Sequence, residues 1–317
     1  MNAKLFATKS VLICIALSSL ALPSLGYGEA SFDEMYFFGD SLSDSGNVYA
    51  LTGQTSKAPY ALIPSAPYTI GGFHFSNGKT WAERFAQNFQ ANNSGKAALD
   101  DPGKNGNYAF GGARARSNSA SLSPSSATQL GMFVADHGMA EPDALYVIQF
   151  GGNDLRDALE IAAADPIGAG LIIQEAVTEH AAMVQMLYGY GGRQFLVANA
   201  PNLEHAPAVK LAGGSAAAGF FTGLYNGFLE GALQQLEAAL VGVTIYRLNL
   251  AGFIDDVVAN PGDFGITDTD SPCLNFFVES DAKCSNSEER LFWDGIHPTK
   301  AAHNELADVA TAAVLGN

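Results

Sequence analysis

A serine near the start of the chain and a histidine near its end are the residue types best suited to chemistry. Ser41 stands in Gly39-Asp40-Ser41-Leu42, directly after an apolar run, and His297 follows Asp294 in a turn-rich stretch. A histidine can take the proton of a serine hydroxyl, while an aspartate accepts a hydrogen bond from the other ring nitrogen. Such a group of side chains would transfer acyl groups. On its own, Gly-Asp-Ser is equally typical of a strand that ends in a polar turn.

Two further stretches could supply the hydrogen-bond donors that acyl transfer needs for the developing oxyanion. Each is an apolar run that ends in glycines, Gly111-Gly112 in one case and Gly151-Gly152 before Asn153 in the other. We expect the donors to be the backbone N–H groups of Ser41 and Gly112 and the side-chain amide of Asn153. Read separately, the first stretch could be a tight turn and the second a helix cap.

The hydrophobic pattern places these turns in an α/β protein. Strands are predicted at residues 35–38, 107–110, 143–150, 193–200 and 243–248. Helical patterns lie between most of them and after the last, including a final helix over residues 300–315 that Thr299 would cap. This alternation predicts a three-layer α/β/α sandwich around a central parallel sheet. Because parallel strands end at one edge, the polar turns would meet there.

Composition and charge limit the classes of function. The chain has 317 residues, of which 48% are hydrophobic and 15% charged, so it can bury a large core and is not of the disordered class. Its net charge of -16 would repel nucleic acids and anionic membranes. We therefore expect neither nucleic acid nor stable membrane insertion, and we predict no cofactor and no metal site.

Residues 1–28 have the pattern of a secretory signal peptide. Lys4 and Lys9 precede an apolar run over residues 11–22 that is too short to span a bilayer, and Pro23 follows it. A single domain over residues 29–317 would remain after cleavage. It would keep two cysteines, Cys273 and Cys284, which predict a disulfide in an exported protein, although two free thiols are the alternative.

The motifs together resemble those of the GDSL esterase/lipase family, also called SGNH hydrolases. The resemblance covers essentially the whole mature chain in the family's order, and the matching stretches are Gly39-Asp40-Ser41-Leu42, Asn107 to Gly112, Gly151-Gly152-Asn153-Asp154 and Asp294 to Thr299. Phe75-Ser76-Asn77-Gly78 with Trp81 also resembles a segment of larger members. There Gly-Arg often precedes the phenylalanine, whereas this chain has Phe73-His74.

Carried over to this sequence, the resemblance implies a role for each motif residue. Ser41 would be the nucleophile, and Asp294 and His297 would be the acid and the base. Gly112 and Asn153 would be oxyanion donors, together with the N–H of Ser41. The other histidines of interest, His180 and His303, lie in predicted helices, where packing is their expected role.

These observations predict an exported serine esterase or lipase that acts on small-molecule or lipid carboxylic esters, located in the periplasm or outside the cell. The aromatic residues between Tyr49 and Phe75 could shape an acyl pocket or simply cover the core. Several alternatives stay open at this point: a phospholipase or lipid acyltransferase, a carbohydrate acetylesterase, a non-catalytic exported binding protein, and a metal-dependent hydrolase using Asp40, Asp44, Asp294 and His297. The sequence does not indicate an oligomeric state.

Overall fold

The computed structural model of the protein describes residues 31–52, 73–119, 121–274 and 284–316. In these residues the strands are β1 Met35–Gly39, β2 Leu145–Gln149, β3 Gln194–Ala198 and β4 Thr244–Leu248. The helices are α1 Asn47–Thr52, α2 Trp81–Asn88, α3 Ser126–His137, α4 Gly152–Ala162, α5 Pro166–Tyr190, α6 Pro207–Leu211, α7 Ser215–Ala239, α8 Leu250–Ala259 and α9 Lys300–Leu315. The predicted α/β class is confirmed.

The four strands form one parallel sheet in the order β1-β2-β3-β4. The register pairs Gly39 with Gln149 and Gln149 with Ala198, so the first three strands end side by side. The turns that follow β1 and β2 carry Ser41 and Asn153. The register therefore places both turns at the same edge of the sheet, as the strand pattern predicted.

Hydrophobic residues cover both faces of the sheet, which makes the architecture three-layered. Along β1, Phe38 belongs to one core with Phe133 of α3, while Phe37 belongs to the other with Phe85 of α2. Successive side chains of a strand point to opposite faces, and strands buried on both faces are hydrophobic throughout. Helices α3, α4, α5 and α7 cover the first face, and α2, α8 and α9 cover the second.

Of the five predicted strands, the one at residues 107–110 is wrong. The segment runs beside the outer edge of β1, where Asn107 makes an isolated parallel bridge to Phe37. The segment donates backbone hydrogen bonds to β1 from Tyr108 and Phe110, but the N–H of Gly39 in β1 donates to the Gln129 side chain instead of returning a bond. The pairing is therefore interrupted before a regular strand forms. The Asn47 Nδ2 also donates to the carbonyl oxygens of Asn107 and Ala109, at 2.8 and 2.9 Å.

The predicted C-terminal helix and the cysteine pair agree with the structure. Helix α9 spans Lys300–Leu315, and the Thr299 hydroxyl accepts a hydrogen bond from the N–H of Ala302 as its N-cap. Cys273 and Cys284 form a disulfide. The predicted signal peptide lies outside the described residues, and the boundaries 29–317 stay a prediction. Of the helices in the described part of the chain, none is both long and apolar enough to cross a membrane.

Candidate active site

The turn after β1 presents Ser41. The carboxylate of Asp40 accepts a hydrogen bond from the N–H of Leu42 at 3.0 Å, and the Asp40 carbonyl accepts from the N–H groups of Ser43 and Asp44. Only glycine fits at position 39, where β1 ends, because a Cβ there would lie 2.6 Å from the carbonyl oxygen of Gln149 in β2. The backbone between β1 and α1 is thereby held in one shape, with Ser41 at its centre.

The loop before α9 orients His297 through a single buried carboxylate. Asp294 Oδ1 accepts hydrogen bonds from the N–H groups of Ile296 and His297, both at 2.8 Å. Its Oδ2 lies 2.7 Å from His297 Nδ1. A carboxylate can only accept, so Nδ1 carries the proton of this bond and Nε2 is left as the acceptor. Asp294 therefore fixes the position of the loop, the direction of the ring and the tautomer.

The structure brings the serine and the histidine together although 256 residues separate them. The Nε2 of His297 lies 2.7 Å from the Oγ of Ser41. With Nδ1 protonated, Nε2 accepts the hydroxyl proton of Ser41. The three side chains thus form a continuous chain of hydrogen bonds from the hydroxyl through the imidazole to the carboxylate. Such a chain can activate the hydroxyl as a nucleophile and stabilise the imidazolium that results.

Asn153, in the first turn of α4, faces the same space as Ser41 and His297. These three residues line one small cavity of about 30 Å³. The Nδ2 of Asn153 donates one hydrogen bond, at 2.8 Å, to the carbonyl oxygen of Ala113. A side-chain amide has two N–H donors. The bond to Ala113 therefore holds the amide in place and leaves its second N–H to point elsewhere.

Gly112 lies directly before Ala113, the residue to which Asn153 is bonded. Its φ of +79° is a left-handed conformation that glycine adopts without strain. Gly112 is not among the residues that line the small cavity beside Ser41. The structure thus ties its loop to the Asn153 side chain, while its role as an oxyanion donor remains a proposal.

A cluster of charged side chains clamps the Gly112 loop onto α4. Asp157 receives two hydrogen bonds from Arg114, each 2.6 Å long, and is also paired with Arg116. The Oδ2 of Asp154 accepts a hydrogen bond from the N–H of Ala115 at 2.9 Å. Bidentate pairs between arginine and carboxylate fix geometry as well as adding energy. Nothing in the spacing of these two arginines along the chain indicates that they pair with α4.

Segment 73–78 supports the histidine loop, a role that its resemblance to other family members did not reveal. The Ser76 hydroxyl donates to the Pro298 carbonyl at 2.9 Å, and Asn77 Oδ1 accepts from the N–H of Lys300 at 2.6 Å. The Phe75 ring lies 5.5 Å from the His297 ring, centre to centre. His74, at the position of the family's arginine, lies with Nε2 2.6 Å from the Glu83 carboxylate.

The aromatic residues between Tyr49 and Phe75 were expected to shape an acyl pocket or to cover the core, and Phe75 covers the core. It is buried in the core on the α3–α5 face, while the Tyr49 ring stacks on that of Phe73 with centres 3.9 Å apart. Phe75 therefore packs in the core and also lies against the His297 ring. Residues 53–72, which make up most of the predicted aromatic loop, lie outside the described residues.

Asp44 and Asn47 join the serine turn to the Gly112 loop. Asp44 Oδ1 accepts from the N–H groups of Gly46 and Asn47 at the start of α1. Its Oδ2 accepts from the N–H of Gly111 at 2.9 Å. The Asn47 side chain binds the backbone of residues 107–109. Both side chains thus hold the two loops together.

Burial perturbs two carboxyl groups around the site. It raises the pKa of Asp40 to about 6, against the opposing hydrogen bond from Leu42, and the pKa of Asp154 to about 7, against its hydrogen bond from Ala115 and the nearby Arg116. Burial also lowers the pKa of His180 to about 4 and that of His303 to about 3. These histidines pack inside α5 and α9, as predicted.

The profile of the GDSL-like lipase/acylhydrolase family matches residues 35–310. The chain belongs to this family. The match includes every residue of the hydrogen-bonded group just described, and it agrees with the resemblance found in the sequence. This membership confirms the predicted enzyme class, that of the carboxylic ester hydrolases.

Individual relatives are distant, and the matched length varies among them. A GDSL esterase/lipase of Arabidopsis thaliana is 21% identical over 93% of this chain and 92% of its own length. A second one from the same plant is 27% identical over 42% of this chain and 41% of its own length. A Pseudomonas putida protein known from the trpE-trpG intergenic region is 26% identical over 95% of this chain. This chain spans only 52% of that protein's length.

Proposed function

We propose that the protein is a serine esterase that hydrolyses carboxylic esters through an acyl-enzyme on Ser41. The observation that carries the proposal is the chain of two 2.7 Å hydrogen bonds from Ser41 Oγ to His297 Nε2 and from His297 Nδ1 to Asp294 Oδ2. A binding protein would not need these three side chains in this order. Membership of the acylhydrolase family supports the same chemistry.

The proposed reaction has two halves. Ser41 Oγ attacks the ester carbonyl carbon while His297 Nε2 takes the hydroxyl proton. The carbonyl oxygen becomes an oxyanion, which the Asn153 amide and the N–H groups of Ser41 and Gly112 would stabilise. His297 then gives its proton to the leaving alcohol, and the acyl group stays on Ser41. A water molecule, deprotonated by His297, attacks the acyl-enzyme and releases the acid.

The test is to replace the nucleophile and to label it. Ser41→Ala should lower kcat on p-nitrophenyl butyrate by roughly 10⁴-fold, as in other serine triads. The wild type should take up one fluorophosphonate group at Ser41, measured by intact mass and peptide mapping. Ser117→Ala, at an exposed serine, is the matched control and should keep full activity. Near-normal turnover by the Ser41 variant would overturn the mechanism.

An acetylesterase is the second candidate, because the cavity that Ser41, Asn153 and His297 share has a volume of only about 30 Å³. A water molecule takes up roughly the same room. An acetyl group is the smallest acyl group that carries a methyl beside the carbonyl. A rate that is highest for acetate and falls with every added methylene would favour this candidate.

Export completes the proposal. It is supported by the signal-peptide pattern of residues 1–28 and by the disulfide between Cys273 and Cys284, since disulfides persist in oxidising compartments. N-terminal sequencing of the protein recovered from periplasm and from culture medium tests it. We expect a mature chain that starts near residue 29. Protein that keeps Met1 and is recovered only from the cytosol would refute export.

A further inference from the structure

A second, larger groove lies beside the Ser41 cavity, between α4, α6 and α7. It has a volume of about 770 Å³. Its lining is mainly apolar and comes from three helices together with the histidine loop: Arg156, Leu159, Glu160, Ala162, Ala163, Ala208, Val209, Ala212, Gly214, Ala217, Phe220, Phe221 and Ile296. No residue assigned to the reaction above lies in this lining.

The apolar lining leaves a large aromatic side chain exposed to solvent. Phe220 is 65% exposed, although a side chain of its size and type is usually buried. Small lining residues leave the space beside it open: Ala163 directly after α4, Ala212 directly after α6, and Ala217 in α7. Concave apolar surfaces with few polar groups are the usual form of small-molecule sites.

The groove adjoins the cavity beside Ser41. Arg156 and Ile296 line both spaces. Ile296 directly precedes His297 in the chain, and Arg156 donates a hydrogen bond from Nη1 to Asn153 Oδ1 at 3.2 Å. One end of the groove therefore lies next to the space between Ser41 and Asn153 in which the ester carbonyl would be held.

We propose that this groove binds the alkyl chain on the acyl side of a medium- or long-chain ester. The proposal rests on the proposed function and adds a substrate class to it. Helix α4 supplies both Asn153, which would hold the carbonyl oxygen, and the groove residues Arg156, Leu159 and Ala162. The acyl half stays on Ser41 through both halves of the reaction, so it needs a fixed binding surface, whereas the alcohol must leave.

The volume and the lining set the expected effect of chain length. A methylene group needs about as much room as a water molecule, roughly 30 Å³, so a ten-carbon chain of roughly 300 Å³ fits within the groove. Full burial of one methylene changes an equilibrium or rate constant by about fourfold. Because the groove is open to solvent, we expect kcat/KM to rise by about two- to fourfold for each added methylene from butyrate to decanoate.

The test fills the groove and leaves the catalytic cavity unchanged. Ala217→Trp would place an indole among the lining residues. Ala216→Trp is the matched control, since Ala216 is exposed on the same helix but is not part of the lining. We would measure kcat/KM for methyl decanoate, decyl acetate and p-nitrophenyl acetate. Ala217→Trp should reduce the rate on methyl decanoate at least tenfold relative to Ala216→Trp, with little change for the two acetates.

Each other outcome has a defined meaning. A wild-type profile that is flat or falls with acyl length, with acetate hydrolysed normally, would overturn the groove proposal and leave the esterase mechanism intact. Equal rates for the two tryptophan variants would also overturn it. A selective loss on decyl acetate would show that the groove holds the alcohol instead. Failure to hydrolyse any ester, or to label Ser41, would refute the proposed function itself.

Phe220→Asp gives an independent check. A carboxylate in the groove should weaken binding of an alkyl chain without reaching Ser41. Phe228→Asp is its control, because Phe228 lies on the same helix, is 49% exposed and is not part of the lining. Thermal unfolding of both variants would show that they fold. A loss on decanoate of the same size in both variants would contradict the proposal.

Discussion

Removal of the Asn153 amide is the most direct test of how the site would stabilise an oxyanion. In the structure Asn153 Nδ2 donates to the Ala113 carbonyl at 2.8 Å, and Arg156 donates to its Oδ1. These bonds hold the amide before substrate arrives, so it would stabilise the transition state without reorganisation. Removal of one such donor typically lowers kcat by roughly 10²- to 10³-fold, or about 2.7–4 kcal/mol.

We therefore expect Asn153→Ala to lower kcat on p-nitrophenyl butyrate by roughly 10²- to 10³-fold with little change in KM. The Ala113 carbonyl loses its partner, which should reduce the free energy of unfolding by about 1 kcal/mol. That loss is too small to unfold a typical domain. Asn153→Asp keeps the volume, removes both donors and places a negative charge near the oxyanion, so its kcat should fall at least as far.

The control is Asn88→Ala, since the Asn88 amide donates to Thr311 at an exposed site. This variant should keep wild-type kcat. Steady-state kinetics and thermal unfolding would be measured on the same preparations. An Asn153→Ala enzyme with unchanged kcat, or one that raises only KM, would show that Asn153 does not act on the transition state.

Three other predictions concern the residues around the site and the disulfide. Asp157→Asn breaks the pairs with Arg114 and Arg116 and should cost about 3 kcal/mol of unfolding free energy in chemical denaturation, with a lower kcat; unchanged values would show that the clamp is dispensable. Because burial raises the pKa of Asp154 from 3.8 to about 7, the folded state binds its proton more tightly than the unfolded state does. Stability should therefore fall as pH rises from 4 to 7, by a few kcal/mol at most, and an Asp154→Asn variant with the same pH slope would refute this. The native chain should have a mass two hydrogens lower than that of the reduced chain. Replacing both cysteines, Cys273→Ser and Cys284→Ser, should lower the free energy of unfolding by about 3 kcal/mol. Two alkylatable thiols in the native protein would contradict the disulfide.

The local sequence was enough to predict most of the secondary structure. The predicted final helix agrees with α9 at both ends, because Thr299 is a strong N-cap and Gly316 ends the helix in a left-handed conformation. The prediction failed at residues 107–110, which look like a strand because the segment is mainly apolar. Its pairing with β1 is interrupted because the N–H of Gly39 donates to the Gln129 side chain, a partner 90 residues away that periodicity cannot reveal.

The sequence by itself determined the chemistry that the site could perform. Serine, asparagine, aspartate and histidine stand in family motifs that are legible without coordinates, and the Asp294–His297 spacing sets up a local turn that orients the ring. These features depend on residue type and on contacts within a few residues. Parallel strands ending at one edge then made the convergence of the Ser41 and Asn153 turns a reasonable prediction.

Only the tertiary structure decided what surrounds those residues. The 2.7 Å contact between Ser41 and His297 joins positions 256 residues apart. Ser76 and Pro298 are also far apart in the sequence and meet only in the fold. Asp157 meets its two arginines in the same way. The groove beside Ser41 is formed only where residues of α4, α6 and α7 come together in the fold. Packing between distant elements sets such distances, and no local pattern in the chain records them.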